Sequence, residues 1–492
     1  MKKLYLLFIV WGLMISLFSA CSDDCDCIPY QPEPEVPTAP VVTITNSEYT
    51  MLLTDSIVFR ANITSELPAT YLWTIGGQEV STDSIYVFKA DAVGVYTLQV
   101  TVTNEAGNQI QSVQVIVKEI TKEETPEGKY KNGTFILNEG LIGTYGSLIF
   151  INPDGNITDN VYFRENGKRL WSLTQDLFIH NNKMYIIAQK GDDASMNYGA
   201  ITILNAETLK EVFSYSFPPE LGFTSPTHIA VLGEDNIYIR DENSISVFHP
   251  SDLSMTRIAG TEKAHKNTMA VVDGKLFAAI YNQKSLVVIE KGKTEITTTI
   301  EFDGNVSGII KSSDDKLWVS DESGKISKVD PNSYEIIASN QLTGEAAERL
   351  KLNPPSSQAA APHITAKGDT LYMSATKPSI YFHIFSKDTT ALMVDATQYI
   401  PASPDYFEAQ NFQAYNTCAV DPVTGRVFLN TLKGWGGLRH NNHISIFDFT
   451  IVVTYNKYTK KYKNTITPRL CKDYANYLDY PANIYFTHNF QH

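Results

Sequence analysis

The residues of this sequence that could do chemistry are few and scattered. His440 and His443 stand three positions apart, a spacing at which two imidazoles can ligate one metal ion, but no third ligand stands near them in the sequence. The sequence has no HExxH, GxSxG or P-loop motif. The glycine-containing run 139–146 follows a strand-like segment and opens no helical pattern. We therefore predict no catalytic residues, no metal site and no cofactor, and we interpret the chain as a binding protein and not as an enzyme.

The five cysteines do not form a metal-binding pattern. Cys25 and Cys27 lie near the N-terminus, and no CxxC pair with a partner pair exists, so a structural zinc site is not indicated. Cys418 and Cys471 could form a disulfide in an oxidising compartment, and the sequence leaves their distance open.

Length, charge and composition limit the fold and the partners. The chain has 492 residues, with 40 Lys+Arg against 54 Asp+Glu and a net charge of −14. This acidic balance argues against a nucleic-acid partner. Hydrophobic residues make up 43% and aromatic residues 11%, with 27 Tyr and 23 Phe, which favours strands over helices in a folded protein. The length alone suggests about three domains.

The N-terminus has the features of a bacterial lipoprotein signal. Lys2 and Lys3 precede an apolar run, residues 4–18, which is too short to span a membrane comfortably. Residues 17–21, LFSAC, resemble a lipobox, with Phe18 where Leu is commoner, and the acidic residues that follow resemble the surface-export signal of Bacteroidetes lipoproteins. The resemblance implies a signal peptide over 1–20, lipidation of Cys21 and an acyl-anchored, surface-exposed outer-membrane lipoprotein. Ordinary secretion with cleavage after Ala20 is the alternative.

Two linkers flank a small domain. Residues 21–40 are proline-rich and predict an extended spacer, and residues 119–131 are charged and polar and predict a second linker. Between them, residues 41–118 alternate like short strands, which is typical of a β-sandwich. The segments around Trp73 and Tyr96 resemble PKD-type immunoglobulin-like domains, and we expect both side chains to lie in the core.

A repeat organises residues 132–492. Six complete units of three recognisable strands begin near Asp176, His228, Thr268, Gly308, His363 and Thr417. Their spacing, roughly 40 to 55 residues, fits the four-stranded blades of a β-propeller and not helical repeats.

The two ends of this region predict one more blade. Residues 135–137, 148–150 and 161–163 supply three strands without an opening strand, and residues 481–486 have the form of an opening strand. Pairing the ends would close the ring and remove exposed sheet edges. The predicted fold is all-β, an immunoglobulin-like sandwich followed by a seven-bladed propeller, with eight blades as the alternative. Residues 451–480 are left open as a strand pair or a cationic loop.

Residues 133–140, 146–150 and 481–486 resemble the opening and closing segments of DUF5074/YncE-like propellers from Bacteroidetes. Members of that group include surface lipoproteins that capture cobalamin and hand it to a TonB-dependent outer-membrane transporter, whereas others have no assigned ligand. The resemblance therefore implies a small-molecule nutrient, with a corrinoid as the first hypothesis, and a TonB-dependent transporter as partner.

Propellers bind ligands over the central channel, where the segments that lead into each innermost strand and the loops between second and third strands meet. The candidate ligand-binding residues in these segments are Tyr145, Trp171, Tyr198, His228, His265, Tyr281, His363, Tyr415, Trp435, Arg439 and His440. The loop 433–441 is longer than a hairpin requires, which indicates function. Stacking aromatics with amide and imidazole donors suit a large, flat polar ligand such as cobalamin, a ferric siderophore, haem or a glycan. Two other classes remain open, an adhesion or protein-interaction scaffold and a propeller enzyme.

Overall fold

The computed structural model describes residues 37–44, 47–53, 56–118, 128–141, 144–193, 195–267, 269–351, 359–375, 377–399 and 412–490. The predicted signal peptide, Cys21 and most of both linkers lie outside these ranges. The chain divides into two compact units, residues 1–121 and 122–492, and nearly all regular structure in both is β.

The described residues of the first unit form nine strands. They are β1 (Val41–Thr43), β2 (Glu48–Leu52), β3 (Ser56–Arg60), β4 (Asn62–Thr64), β5 (Thr70–Ile75), β6 (Gln78–Ser81), β7 (Ile85–Lys89), β8 (Gly94–Asn104) and β9 (Gly107–Lys118). A five-stranded sheet has the order β2-β9-β8-β5-β6, and β1 pairs with β4 and β3 with β7.

Trp73 and Tyr96 are the two residues that the sequence analysis predicts to lie in the core of the small domain. Trp73 is fully buried in the core of the first unit, and its indole Nε1 donates a 2.8 Å hydrogen bond to the carbonyl oxygen of Asp83. Tyr96 packs edge-on against Phe88 at 5.3 Å, and its hydroxyl donates to the carbonyl oxygen of Ala92 at 2.8 Å. The predicted core position is confirmed for Trp73, whereas Tyr96 is half-buried and packs against the edge of the same core.

The second unit contains twenty-eight strands in the described residues. They are β10 (Thr134–Asn138), β11 (Ser147–Ile151), β12 (Ile157–Thr158), β13 (Thr174–His180), β14 (Lys183–Ala188), β15 (Ala200–Asn205), β16 (Glu211–Ser216), β17 (His228–Gly233), β18 (Asn236–Arg240), β19 (Ile245–His249), β20 (Ser254–Arg257), β21 (Ala270–Val272), β22 (Lys275–Ala279), β23 (Ser285–Glu290), β24 (Thr298–Glu301), β25 (Val306–Lys311), β26 (Leu317–Asp321), β27 (Lys325–Val329), β28 (Ile336–Gln341), β29 (Ile364–Lys367), β30 (Thr370–Met373), β31 (Ser379–Ile384), β32 (Thr389–Asp395), β33 (Phe412–Val420), β34 (Val427–Leu432), β35 (Asn442–Asn456), β36 (Lys461–Ala475) and β37 (Pro481–Phe486).

These strands form seven four-stranded antiparallel sheets. Six are consecutive meanders, β13–β16, β17–β20, β21–β24, β25–β28, β29–β32 and β33–β36, and the seventh has the order β12-β11-β10-β37. Two short helices, α1 (Val161–Asn166) and α2 (Gly344–Glu348), accompany them, with 3₁₀ turns at Pro219–Leu221, Phe385–Lys387, Ala396–Gln398, Gly436–His440 and Thr487–Phe490. The six units predicted from the repeat therefore correspond one to one with the six meanders.

Local turn chemistry explains the regularity of the meanders. The hairpin between β13 and β14 turns on Asn181 and Asn182, whose φ angles are 48° and 57°, and the hairpin between β21 and β22 turns on Asp273 and Gly274, at 48° and 70°. Two-residue loops with two positive φ angles match the right-handed twist of the flanking strands, and Asn, Asp and Gly tolerate that conformation best. These turns fix the register of the buried strands.

We call the strand that opens each meander its first strand, and β37 is the corresponding edge strand of the seventh sheet. Each first strand lies against the first strand of the next sheet. Contacts join β13 to β17, β17 to β21, β21 to β25, β25 to β29, β29 to β33 and β33 to β37, and β37 also contacts β13. Residues from all seven first strands line one cavity of about 1350 Å³.

The two ends of the second unit meet in the seventh sheet. β37 pairs antiparallel with β10, from Thr134 opposite Phe486 to Asn138 opposite Pro481, which confirms the predicted pairing of residues 481–486 with the N-terminal strands. The predicted third strand, 161–163, is wrong, because these residues begin α1 and the outer strand is β12 instead. Asn160 and Gly167, both with left-handed backbone, bound the helix. Because residues 161–163 are all buried, their sequence shows no periodicity that would distinguish a helix from a strand.

Residues 451–480 prove to be mostly a strand pair. β35 and β36 form a long hairpin whose register runs from His443 opposite Ala475 to Asn456 opposite Lys461. Cys418 and Cys471 are both free thiols, so the possible disulfide is not formed. Within the described residues, no helix is long and apolar enough to cross a membrane.

Candidate functional site

Three stacked aromatic rings mark one point where the segments leading into the first strands meet a joining loop. Tyr480 directly precedes β37, Tyr415 lies in the bulged start of β33, and Trp435 follows β34 in the long loop 433–441. Tyr415 and Trp435 stack at 5.3 Å, Trp435 and Tyr480 at 5.6 Å, and Tyr415 and Tyr480 at 6.4 Å, with interplanar angles of 17–21°. Both tyrosines are buried, whereas Trp435 is 39% exposed and is the most exposed member of this aromatic array.

Arg439 fixes the long loop onto the array. Its guanidinium lies 5.3 Å from the centre of the Tyr480 ring, and its Nε is 2.6 Å from a carboxylate oxygen of Asp479. The backbone N–H of Gly436 donates to the Tyr480 hydroxyl at 2.9 Å. His440 is exposed at the end of the same 3₁₀ turn, and partial burial, together with the nearby Arg439 charge, lowers the pKa of its imidazole. The loop is therefore held in one conformation, which reduces the entropy lost when a ligand stacks on it.

Tyr415 and Tyr480 have a left-handed backbone, with φ of 47° and 55°. Leu173 and Ser225, at similar points before β13 and β17, also have positive φ, 58° and 48°. Such a conformation costs a non-glycine residue roughly 1–2 kcal/mol. Because it recurs before several first strands, we assign it to the turn of the repeat and not to ligand binding.

A buried carboxylate lies beneath the array. Glu139 is buried after β10, where its Oε1 accepts a 2.7 Å hydrogen bond from Gln175 Nε2, and it also hydrogen-bonds the Tyr415 hydroxyl and the backbone of Ala359. Burial raises the pKa of Glu139 to about 7, although these hydrogen bonds and the charge of Lys266 oppose the shift. Burial and the adjacent Glu139 raise the pKa of Tyr415, which stays protonated and acts as a donor.

Glu139→Gln is expected to remove a pH dependence of stability. Because burial raises the Glu139 pKa from 4.5 to about 7, the folded state keeps a proton in this range that the unfolded state has lost. The contribution to stability is complete below about pH 4.5 and declines as the pH rises through 7. At pH 8 the glutamine variant should be more stable than the wild type by up to about 3 kcal/mol. Urea unfolding at pH 5 and pH 8 measures both values.

Glu220→Gln is the matched control for this prediction, because Glu220 is an exposed carboxylate in the 3₁₀ turn Pro219–Leu221 of the same unit. It should show the same decline between pH 5 and pH 8 as the wild type. An unchanged decline in the Glu139 variant would contradict the assignment.

Lys266 lies within electrostatic reach of this carboxylate, and the buried Arg240 lies near Lys266. Arg240, at the end of β18, is buried and donates from Nε to the carbonyl oxygen of Ala264 at 3.0 Å and from NH1 to Thr227 Oγ1 at 3.1 Å. Burial lowers the pKa of Arg240 to about 10 and that of Lys266 to about 8, where the nearby Arg240 adds to the shift and Glu139 opposes it. Burial, with Arg240 beside it, lowers the pKa of His265 to about 4, so this imidazole is neutral at pH 7.

Three of the predicted histidines, His228, His265 and His363, are buried. His228 is 1% exposed, and its Nδ1 lies 3.3 Å from Asp176 Oδ2. His363 is also 1% exposed and hydrogen-bonds Ser320 Oγ through Nε2 at 3.1 Å, and burial lowers the pKa of its imidazole to about 3. The side chains of His228 and His363 do not reach the surface, where the sequence prediction placed them. His228 begins β17 and His363 directly precedes β29, and both side chains pack inside.

The remaining predicted residues lie in separate small groups. Tyr281 is exposed and its ring lies 5.6 Å from that of His265. Tyr145 is exposed with the Arg169 guanidinium 5.7 Å from its ring centre, and the carbonyl oxygen of the half-buried Trp171 accepts from the N–H of Gly146. Tyr198 is half-buried.

The structure therefore brings Tyr415, Trp435 and Arg439 together, pairs His265 with Tyr281, and places His228 and His363 inside. The prediction omitted Tyr480 and Glu139, although Tyr480 stands directly before the closing strand, as Tyr415 stands near the start of β33. Aligning the segments before the seven first strands would have selected Tyr480. Among the described residues, no group of three or more His, Cys, Asp or Glu side chains could hold a metal ion.

Comparison with known proteins supports the division of the chain. The profile of a family described as a domain of unknown function, DUF5074, matches residues 132–487, and the profile of a PKD-like domain matches residues 40–104. Both resemblances expected from the sequence are thereby confirmed at the level of the family. None of the curated proteins matches the chain significantly.

Several solved structures are similar at low identity. A quinonprotein alcohol dehydrogenase-like protein from Bacteroides thetaiotaomicron is 16% identical, with a TM-score of 0.45 over 91% of this chain and 99% of that chain. Apo AztD from Citrobacter koseri is 13% identical, with a TM-score of 0.32 over 66% and 94%. The WD40 domain of Neurospora crassa Pan2 is 11% identical, with a TM-score of 0.33 over 55% and 85%. Similarities of this degree do not extend to ligand or activity.

Proposed function

The chain belongs to the DUF5074 family through residues 132–487, and we propose that this region is a closed seven-bladed β-propeller that binds a large, flat, polar ligand over its central channel. Seven four-stranded sheets, the contacts between successive first strands and the pairing of β37 with β10 support the ring. Pairing the two chain ends in one sheet leaves no first strand without a neighbour.

The aromatic array is the observation that carries the binding proposal. Trp435 is 39% exposed and stacks with two buried tyrosine rings, and the Arg439 guanidinium ties the loop to the Tyr480 ring. A rigid aromatic face gives large contact area at low entropic cost, and the neighbouring backbone amides and His440 supply polar partners.

A corrinoid is the first ligand to test. Its macrocycle is large and flat enough to stack on an indole, and its amide side chains can exchange hydrogen bonds with the polar rim. The sequence resemblance to cobalamin-capturing surface propellers supports this choice. A ferric siderophore, haem and a glycan have related shapes or polarity and form the rest of the probe panel.

We place this binding at the bacterial surface. The lipobox-like segment before Cys21 and the acidic residues after it support an acyl anchor in the outer membrane, with residues 21–40 as a spacer. A captured nutrient would then pass to a TonB-dependent transporter. In this proposal the protein is a binder and not an enzyme, because Arg439 forms an ion pair with Asp479 and Glu139 accepts a hydrogen bond from the amide of Gln175.

Trp435→Ala is expected to weaken cyanocobalamin binding about tenfold, which corresponds to about 1.4 kcal/mol, because it removes the indole ring that is proposed to contact the ligand. Corrinoid absorption overlaps indole emission, so quenching of tryptophan fluorescence in the wild type gives the dissociation constant. Absorbance-monitored dialysis gives it for the variant.

Tyr458→Ala is the matched control, because Tyr458 is an aromatic residue 83% exposed at the far end of the β35–β36 hairpin, outside the array. It should bind as the wild type does. Equal affinity of the Trp435 and Tyr458 variants would move the ligand site away from the array.

A further inference from the structure

The β35–β36 hairpin is much longer than its sheet requires. Both strands have 15 residues, whereas the outer strands of the five other meanders, β16, β20, β24, β28 and β32, have four to seven. The turn at 457–460 joins the two strands at their far end. The proposed ligand site does not use this extension, which calls for a separate role.

The extension is cationic in an acidic protein. Residues 449–472 contain four lysines near the turn, Lys457, Lys460, Lys461 and Lys463, together with Arg469 and Lys472, and no Asp or Glu, in a chain whose net charge is −14. Arg469 pairs with Asp448 at 2.7 Å. In the described part of the chain, none of the four turn lysines forms an ion pair, and all four are exposed.

The base of the hairpin is fixed while its far end is exposed. Ile451 and Ile466 pack against the hydrophobic core shared by the β29–β32 and β33–β36 sheets. Asn464 Nδ2 donates to the carbonyl oxygen of Thr389 at 3.4 Å, and Lys387 Nζ lies 5.1 Å from the centre of the Tyr462 ring. These contacts hold the extension against β32.

Tyrosines accompany the lysines at the exposed end. Tyr458 is 83% exposed, Tyr455 is 54% exposed and Tyr462 is 38% exposed, and the rings of Tyr455 and Tyr462 lie 5.0 Å apart across the strand pair. Tyrosine rings with a polar hydroxyl are enriched at the headgroup level of membranes, and lysines reach from there to lipid phosphates.

We propose that the end of this hairpin, residues 454–463 with Lys387, docks on a membrane surface that carries anionic lipid phosphates. The combination of exposed lysines and tyrosines favours a lipid surface over a protein partner. Protein interfaces are depleted in lysine and enriched in arginine, which the turn lacks. Flexible lysine side chains can reach the phosphates of a fluid lipid layer. Each lysine near such a surface contributes about 1 kcal/mol to the binding free energy. This inference does not depend on the proposed ligand or on lipidation.

Vesicle co-sedimentation tests the proposal on the full chain, with Cys21→Ser in every sample so that an acyl group cannot contribute. The protein should bind vesicles of phosphatidylglycerol and phosphatidylcholine more strongly than vesicles of phosphatidylcholine alone. Replacing Lys457, Lys460, Lys461 and Lys463 with glutamine should lower the partition coefficient on the anionic vesicles by about tenfold or more. Raising the salt concentration should also lower the partition coefficient of the protein with the unsubstituted hairpin.

A control variant changes the same number of charges elsewhere in the second unit, at the exposed Lys284, Lys291, Lys293 and Lys377. It should bind anionic vesicles within about twofold of the unsubstituted protein, because surface charges beyond a Debye length contribute little. Equal losses in both variants would show a net-charge effect and overturn the proposal. Equal binding to both vesicle types would overturn it as well, whatever the outcome of the ligand titrations.

Discussion

Replacing Asp176 with alanine is expected to lower the free energy of unfolding of the second unit by about 3–5 kcal/mol. The buried carboxylate accepts hydrogen bonds from the Tyr485 hydroxyl at 2.7 Å, from the backbone N–H groups of Leu177 and Ile229 at 2.9 and 3.1 Å, and it faces His228 Nδ1 at 3.3 Å. It thereby joins three neighbouring first strands, β37, β13 and β17. Alanine would leave several buried donors without a partner, and each costs about 1–3 kcal/mol. Urea unfolding measures the loss.

Two substitutions make this result interpretable. Asp176→Asn keeps one acceptor oxygen and should lose less stability than the alanine variant. Asp154→Ala removes an exposed carboxylate from a turn of the same unit and should change the free energy of unfolding by no more than about 0.5 kcal/mol. An alanine variant at 176 as stable as the one at 154 would show that the carboxylate does not hold the three strands together.

Ending the chain at Tyr480 is expected to abolish cooperative folding of the second unit. The deletion removes β37, whose buried Ile484, Tyr485 and Phe486 pack in the largest hydrophobic cluster of the unit. It also exposes the edge of β10 and leaves β13 and β33 without the strand between them, and an uncovered edge strand promotes aggregation. Size-exclusion chromatography with thermal unfolding followed by circular dichroism detects both effects.

A chain that lacks only its last two residues is the control, because it retains β37, and it should unfold like the full chain. A soluble, cooperatively unfolding protein that ends at Tyr480 would contradict the role of β37, because the remaining sheets would then be stable as an open arrangement.

Strand positions in the second unit follow from sequence because each repeat combines a buried apolar strand with turn residues that tolerate positive φ. Asp273-Gly274 is such a turn, and it lies in the unit predicted to begin near Thr268. Residues 161–163 were misassigned because Val161, Tyr162 and Phe163 are all buried, and an apolar run of three fits a helix as well as a strand. Asn160 and Gly167, two residue types that tolerate the left-handed backbone found at the ends of this helix, were the signal in the sequence for its boundaries.

The site was predictable only in part. Tyr415, Trp435 and Arg439 were selected separately, as aromatic or cationic residues in loops expected on one face, and the structure brings them together. The Tyr480 ring completes the stack because β37 packs against β33, a strand of another sheet that is distant in sequence. The Glu139–Gln175 pair and the buried Arg240 could not be found from sequence, because a polar residue at the end of a strand does not reveal which way its side chain points.

The histidines illustrate the same limit. His228 and His363 stand at the start of first strands, where a side chain can point to the channel mouth or into the sheet interface. The structure places both inside, against Asp176 and Ser320. Local patterns set where strands begin, whereas the orientation of residues at their ends is set by neighbouring sheets.

Equilibrium dialysis of the purified chain against micromolar cyanocobalamin tests the central claim, that the second unit holds a flat polar ligand over its channel, most directly. We expect saturable binding of one ligand per chain, weakened by Trp435→Ala and unaffected by Tyr458→Ala. If neither cyanocobalamin nor haem, a ferric siderophore or a glycan is retained at micromolar concentration, the claim is contradicted, and the aromatic array is then a structural element of a surface scaffold.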